Sequence, residues 1–515
     1  MKKILTTILM FGSMLATTGC SDYLDILPKD KQSSDMFWKS SEDVESVLGQ
    51  AYHLTRGSVK DMLCWGELRG GSVNTTNTDQ QKVQDFQVLP NNSNVKWANF
   101  YNIIGLANAV LHYAPGVMAE DASYYEEQMH SHQTEAYFLR ALSYFYLVRN
   151  FRDVPLITEP YIDDQIPTDV PKSGESEVIA QIKKDITDAL DTNAAKETFG
   201  ETWSNKGRAT KWALLALMTD VCLWSEDYQG CVDYADQLIN ASSAIRPVLI
   251  TSSSQWFEMF YPGNSNESIF EIQFEGDLDQ TSGSPTALTY WNSTPPPLYF
   301  SETMTERLTD SSMPMVGAPW GIYYTFGYES IVASDILQPI IWKYNGMGNE
   351  WEMKREGDNQ DANFIVYRMA DVMLMKAEAL IRLGGAANWQ AALDLINPIR
   401  NRGYGFDTTG FQYDLDIDPA ETSEEELLTA LLEVRDIEFA GEGKRWYDLL
   451  RFGRQQGFKY RNQFVDLVMS NNSTANRSFL QSALKDDNAW FLPIPEWDIN
   501  TNPQLEQNPY YDVVQ

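Results

Sequence analysis

Two stretches far apart in this chain repeat one pattern, and that repetition sets the fold. From Ala209 to Ile239 a run rich in Ala and Leu reaches Trp224, breaks at Ser225-Glu226-Asp227, and restarts with Tyr228, Cys231 and Ala235. From Tyr367 to Arg400 a similar run reaches Leu383-Gly384, breaks, and restarts with Trp389, Ala392 and Ile396. An aromatic three residues before a small residue puts both on one helix face. In stacked helical hairpins the small residue lets neighbouring helices approach, while the aromatic fills the gap between repeats.

The unit resembles a tetratricopeptide hairpin, and the rest of the chain agrees with a helical repeat scaffold. Trp97 to Tyr113 sets Trp97, Tyr101, Ile104 and Asn108 on one helical face. Thr134 to Asn150 buries Ala136, Leu139, Ser143, Tyr146 and Leu147, and Asp153-Val154-Pro155 ends it because proline cannot continue a helix. Ser34-Asp35 and Ser40-Ser41 supply capping chemistry before the first apolar stripes. Residues 245–360 differ: Ile269 to Phe274 alternates like a short strand, Pro295-Pro296-Pro297 forbids regular structure, and Gly, Ser, Tyr and Trp are dense. The expected fold is all-α dominated, a helical hairpin scaffold with a long loop-rich excursion carrying a few short strands. Excursions of that length are usually functional.

The amino terminus places the chain in a cell. Lys2 and Lys3 precede an apolar run from Ile4 to Ala16, then Thr17-Thr18-Gly19-Cys20, the layout of a lipoprotein signal peptide over residues 1–19. The run falls short of the roughly 20 apolar residues needed to span a bilayer. Cys20 is therefore expected to be the lipidated first residue of a mature domain over residues 20–515, tethered by combined acyl chains. Loss of Lys2 and Lys3 takes the net charge from -33 to -35. Such acidity argues against nucleic acid or anionic lipid as electrostatic partners and leaves neutral ligands as the easiest ones. Cys64, Cys222 and Cys231 are too few for a disulfide framework. Cys222 and Cys231 are placed to meet across a hairpin, although unpaired buried thiols fit better. His53, His112, His130 and His132 lack metal spacing, and His130-Ser131-His132 reads as an exposed turn before a helix.

No catalytic signature stands out. There is no G-x-S-x-G elbow, H-E-x-x-H or Walker loop. Carboxylate pairs are expected by chance among 72 acidic residues. Glu438 and Glu442, four apart with Arg435 and Lys444 nearby, read as a structural ion-pair network. Asp414-x-Asp416-x-Asp418 with Glu425 imitates a calcium loop, but Pro419 stands where glycine is needed and Thr422 makes Glu425 part of a capping box. No cofactor is expected, calcium being the only one the pattern suggests. The chemistry that stands out is aromatic: sugar C–H faces stack on Trp and Tyr, while hydroxyls seek amide, carboxylate and guanidinium partners. Two stretches combine these groups. One is Trp65 and Arg69 with Asn74, Asn77 and Asp79; the other is the excursion with Tyr290, Trp291, Tyr299, Trp320, Tyr323 and Tyr324.

Taken together, several stretches resemble the SusD/RagB family of Bacteroidetes nutrient-uptake lipoproteins. They are Cys20-Ser21-Asp22-Tyr23-Leu24-Asp25, Trp97-x-x-x-Tyr101-x-x-Ile104-x-x-x-Asn108, Glu135 to Ala141, Phe151 to Leu156, Gly207 to Thr210, Tyr367 to Val372, Glu438 to Asp448, Leu492-Pro493-Ile494-Pro495 and Asn508-Pro509. The resemblance implies a tetratricopeptide-like scaffold, a lipid anchor in the outer leaflet of the outer membrane, and a SusC-like TonB-dependent barrel as partner. It implies capture of oligosaccharide or, in the RagB branch, of peptide, without catalysis. It also points to the loop before the Trp97 helix and to the central excursion as the ligand region. No contact residue transfers by motif, so Trp65, Arg69, Asn74, Asn77, Asp79, Tyr290, Trp291, Trp320, Tyr323 and Tyr324 are chosen by position and type. Trp97, Trp212, Trp389 and Trp446 are expected in the scaffold. On this reading Trp291→Ala or Trp320→Ala weakens binding and leaves folding intact.

Overall fold

The computed structural model describes residues 37–162, 169–289, 296–309, 318–321, 324–331, 336–345, 355, 360–405, 412–472 and 476–512. Helix α1 (Ser41–Gly57) starts where the Asp43 carboxylate accepts the Ser40 N–H at 2.8 Å, and it buries Val44, Leu48, Ala51 and Thr55 along one face. Against it lies α2 (Ala98–Glu120), then α3 (Glu126–Phe151) and α4 (Glu175–Asp191). Helix α5 (Lys211–Trp224) packs on α4 and turns through Glu226, held at positive φ, into α6 (Tyr228–Ile239). There the Asp227 carboxylate caps the Gly230 N–H at 3.1 Å. Helix α6 packs directly on α7 (Met369–Leu383), which forms the second hairpin with α8 (Ala386–Tyr404). The two repeats found in the sequence are thus neighbours in space. Their small residues Cys231, Ala235 and Ala392 are fully buried where the helices meet. Cys64, Cys222 and Cys231 are free, buried thiols.

Helix α3 is enclosed on nearly every side from Thr134 onward, as the centre of a stack must be. It begins earlier than its apolar pattern indicates. His130-Ser131-His132, read from sequence as an exposed turn, lies within α3 with His132 buried. Its Nδ1 sits 2.8 Å from the Tyr124 hydroxyl and its Nε2 3.1 Å from the Glu45 carboxylate. Both ring nitrogens have partners, which removes the penalty for burying them.

Among the described residues four antiparallel strand pairs leave the stack. Strand β1 (Val73–Thr75) pairs with β3 (Leu298–Phe300), β2 (Ser268–Ile272) with β6 (Phe364–Arg368), and β4 (Phe326–Ile331) with β5 (Ile336–Ile341). Val154–Pro155 and Lys172–Ser173 make the fourth. The β2–β6 pair closes the excursion and delivers Arg368 to the interior, next to α9 (Glu424–Glu438) and the turn before α10 (Arg445–Phe458). There Arg368 meets Glu267 at 3.0 Å, Glu438 at 2.5 Å and Glu442 at 2.9 Å. Arg402 bridges Glu267 and Glu438, each at 2.5 Å, and Lys343 binds Glu442 at 2.7 Å. Three cations face three carboxylates, all essentially without solvent exposure. Burial alone would raise the Glu442 carboxyl, but Arg368 and Lys343 outweigh it and hold it at about 2.

Glu438 and Glu442 therefore do sit in an ion-pair network, but not with their sequence neighbours. Arg435 and Lys444 point to a second network, in which Asp371 binds both, Asp448 bridges Arg435 and Arg451, and Glu378 binds Arg451. The capping box before α9 is shifted by one residue: Ser423 Oγ accepts the Glu426 N–H and the Thr422 hydroxyl donates to Glu426. In the acidic loop Asp414 accepts from the Asn401 amide and Asp418 from the Ala420 N–H. Among the described residues no three His, Cys, Asp or Glu side chains converge as metal ligands.

Two pH dependences follow from the buried acids. Glu442 and Asp371, both held at about 2, contribute stability that is present above their unfolded pKa and lost as pH falls towards about 2. Arg368→Met leaves three buried carboxylates short of a cation and is expected to cost about 3–5 kcal/mol in urea unfolding at neutral pH. Glu67 behaves in the opposite way. Burial pushes its carboxyl up to about 8; one oxygen accepts the Gly443 N–H at 2.7 Å and the other has no hydrogen-bond partner. Ionising it in place is unfavourable, so stability falls by up to about 1.4 kcal/mol per pH unit between the unfolded value of ~4.3 and the folded one. Glu67→Gln should flatten that decline between mildly acidic pH and about pH 8, as read by thermal unfolding.

Candidate functional site

The β1–β3 ribbon joins the two stretches that the sequence reading kept separate. Val73 lies opposite Phe300, Asn74 opposite Tyr299 and Thr75 opposite Leu298, and the ladder continues through Ser301 N–H to Ser72 O at 3.0 Å and Thr76 N–H to Pro297 O at 3.1 Å. Side chains alternate across a strand. Val73, Thr75, Leu298 and Phe300 are buried below, and the half-exposed Asn74 and Tyr299 stand side by side above.

The short Thr78–Gln84 helix flanks this face. Its cap is Asn77, whose Oδ1 accepts the N–H groups of Asp79 at 3.0 Å and Gln80 at 3.1 Å. Asp79 accepts the Ser93 hydroxyl at 2.8 Å, a bond that lowers its carboxyl from the usual value. At the other end Gln84 donates to Asn74 Oδ1 at 2.6 Å and fixes that amide. Below, Thr75 Oγ1 donates to Gln80, which donates in turn to Cys64 Sγ. The result is a phenol ring beside two planar amides, with a carboxylate and a further amide close along the chain. That set can stack against an apolar C–H face and exchange hydrogen bonds with hydroxyls.

Asn74 stands on this face, with Asn77 and Asp79 at the start of the helix that flanks it; Trp65, Arg69 and Trp320 are not at the surface. Trp65 is fully buried, donates its indole N–H to Asn94 O at 2.9 Å and stacks on Phe100. Arg69 is buried over the Trp446 ring, donating to Trp490 O at 2.7 Å and Asn150 Oδ1 at 2.8 Å. Desolvation pulls its guanidinium down to about 10. Trp320 is fully buried and donates to Glu438 at 2.6 Å. It lies so close to α8 that a Cβ on Gly403 would come within 2.1 Å of its ring. These three side chains offer no surface to a ligand, and removing the Trp320 ring would take a donor from the buried acid network rather than leave folding intact. Tyr324 is half-buried against Trp256 and Phe257. Tyr290, Trp291, Tyr323 and Cys20 lie outside the described residues. Trp97, Trp212 and Trp446 are buried in the scaffold and Trp389 is partly so. Sequence reasoning missed Gln84, whose role depends on a contact across the turn of its helix, and it did not register Tyr299 against Asn74.

Known proteins match this chain along its length. A family model described as "SusD family" matches residues 339–511, and one described as "Starch-binding associating with outer membrane" matches residues 22–223. SusD-like protein P38 of Formosa agariphila is 27% identical, with 99% of both chains covered. A SusD superfamily crystal structure from Bacteroides thetaiotaomicron superimposes with a TM-score of 0.71 at 24% identity, covering 92% of this chain and 99% of its own. A structure described as a laminarin-binding SusD-like protein gives 0.68 at 20% identity, covering 92% and 100%. The helix stack, the ribbon and these matches agree: the chain belongs to the SusD/RagB family.

Proposed function

We propose that this protein captures neutral saccharide on the outward face of the β1–β3 ribbon and passes it to a SusC-like TonB-dependent transporter, without chemical change to the sugar. The observation that carries the reading is the register of Asn74 opposite Tyr299, which sets a stacking ring beside a fixed amide on a rigid floor. Two family facts support it. One matching family model is described as starch-binding and associating with the outer membrane, and a structural neighbour is described as laminarin-binding. Attachment at the outer membrane, facing outward, would be through acyl chains on Cys20. Binding needs no metal or cofactor, since stacking and hydrogen bonds are the whole of it. Glu438 and Glu442 are fully engaged in the buried network, which supports binding without hydrolysis.

The test is gel retardation and calorimetry of the mature chain from Ser21 against laminarin, starch and other plant, microbial and host glycans, with peptide digests alongside. Retardation by a glycan, with its chain length unchanged on incubation, is the expected result. Tyr299→Ala and Asn74→Ala should each weaken it about 3- to 10-fold, the worth of one stacking or hydrogen-bonding contact, with thermal unfolding little changed. Retention of peptides and no glycan binding would move the protein to the peptide-capturing branch of its family.

A further inference from the structure

A second cleft lies at the start of α2, where the chain's carboxy-terminal segment returns. It encloses about 400 Å³ and shares no lining residue with the β1–β3 face. Its walls are braced. The Tyr101 hydroxyl donates to Pro155 O at 2.8 Å, and the Asn502 amide donates to Val170 O at 2.9 Å. Trp97 and Tyr101 meet edge-on with ring centroids 5.5 Å apart.

Onto this braced floor the short Glu496–Thr501 helix projects Trp497, which is 72% exposed although it lines the cleft. Leaving a tryptophan in water forgoes a large apolar burial, and among the described residues only Trp203 is left comparably exposed. The polar groups around it are acceptors and amides: Asp169, Asp498, Asn102 and Thr501. Among the described residues no lysine or arginine lines the cleft, which leaves phosphate, sulfate or uronate groups without a counter-charge from them. An exposed indole face, apolar walls at Ile157 and Val170, and uncharged or anionic hydrogen-bonding groups match an uncharged pyranose.

We propose that this cleft is a second saccharide-binding site, with Trp497 as its stacking platform; it rests on the saccharide reading of the β1–β3 face. The two sites would engage separate parts of one long glycan, or separate chains. A polysaccharide that occupies both gains by tethering and not by any new contact.

Fluorotryptophan labelling of the mature chain, with the Trp497 signal assigned by its loss in Trp497→Phe, reads this site alone. Fluorine NMR is recorded during titration with laminari- and malto-oligosaccharides of graded length and with each glycan that retards the protein in gels. The Trp497 signal should move with saccharide, and should still move in Tyr299→Ala. Trp497→Ala, at an exposed position, should fold normally and lose about fivefold in polysaccharide affinity, as one stacking contact predicts. If a glycan binds while the Trp497 signal stays fixed and Trp497→Ala binds as before, the second site is wrong and the first stands. If no glycan binds and none moves the signal, both readings fall. If Trp497→Ala weakens only the association with a transporter barrel, the cleft is a protein interface and the proposal is overturned.

Discussion

Arg368 is the residue on which the architecture turns. Removing a guanidinium from water is expensive, and only several well-placed carboxylates make it tolerable. Glu267, Glu438 and Glu442 come from the residue just before β2, the end of α9 and the turn that follows. Arg402 reaches Glu267 and Glu438 from α8, and Lys343 reaches Glu442 from the excursion. Any packing that separates these elements leaves a buried charge without its partner. The excursion is therefore locked to the repeat scaffold by a condition that tolerates little compromise, whereas apolar contacts alone would allow it to slide.

The same accounting shapes the surface. Among the described residues the buried set holds 11 Lys or Arg and 13 Asp or Glu, close to balance. The interior is nearly neutral, and the net charge of -33 falls almost wholly on the remaining residues. Many of the arginines that would offer a counter-charge to an anionic ligand, among them Arg69, Arg149, Arg368, Arg402 and Arg451, are committed to the interior. An acidic exterior favours uncharged ligands by default.

Periodicity made the scaffold legible. Tyr228, Cys231 and Ala235, and Trp389 with Ala392, announce both hairpins, because helix packing depends on neighbours three and four apart. Long-range pairing had no such local trace. Trp65 and Trp320 lie among glycines and polar residues, which reads as an exposed loop; what buries them is Asn94 O in one case and Glu438 in the other. Glu438 seemed to belong with Arg435 because they are close in sequence, yet its partner is Arg368. His132 looked exposed because Glu45, which covers it, comes from another helix. Asn74, Asn77 and Asp79 were chosen as candidates from residue type, while the placement of Asn74 opposite Tyr299 is set by the register of a ribbon whose strands lie far apart in sequence.

The charge network and the proposed ligand face are mechanically continuous. Glu442 is followed by Gly443, whose N–H donates to Glu67 and whose carbonyl lies so close to Gly66 that a Cβ there would be 1.8 Å away. From Glu67 the chain runs through the buried Arg69 to Ser72, which donates to Asp436 on α9 at 2.9 Å, and then directly into β1. The floor under Asn74 and Tyr299 is thus fixed by the same elements that hold Arg368. This matters for a sugar site because each individual contact is weak and half-solvated, so affinity depends on how little ordering remains to be done when the ligand arrives. A face mounted on a free loop would lose most of its few contacts to that ordering; the proposed face, mounted on this frame, would keep them.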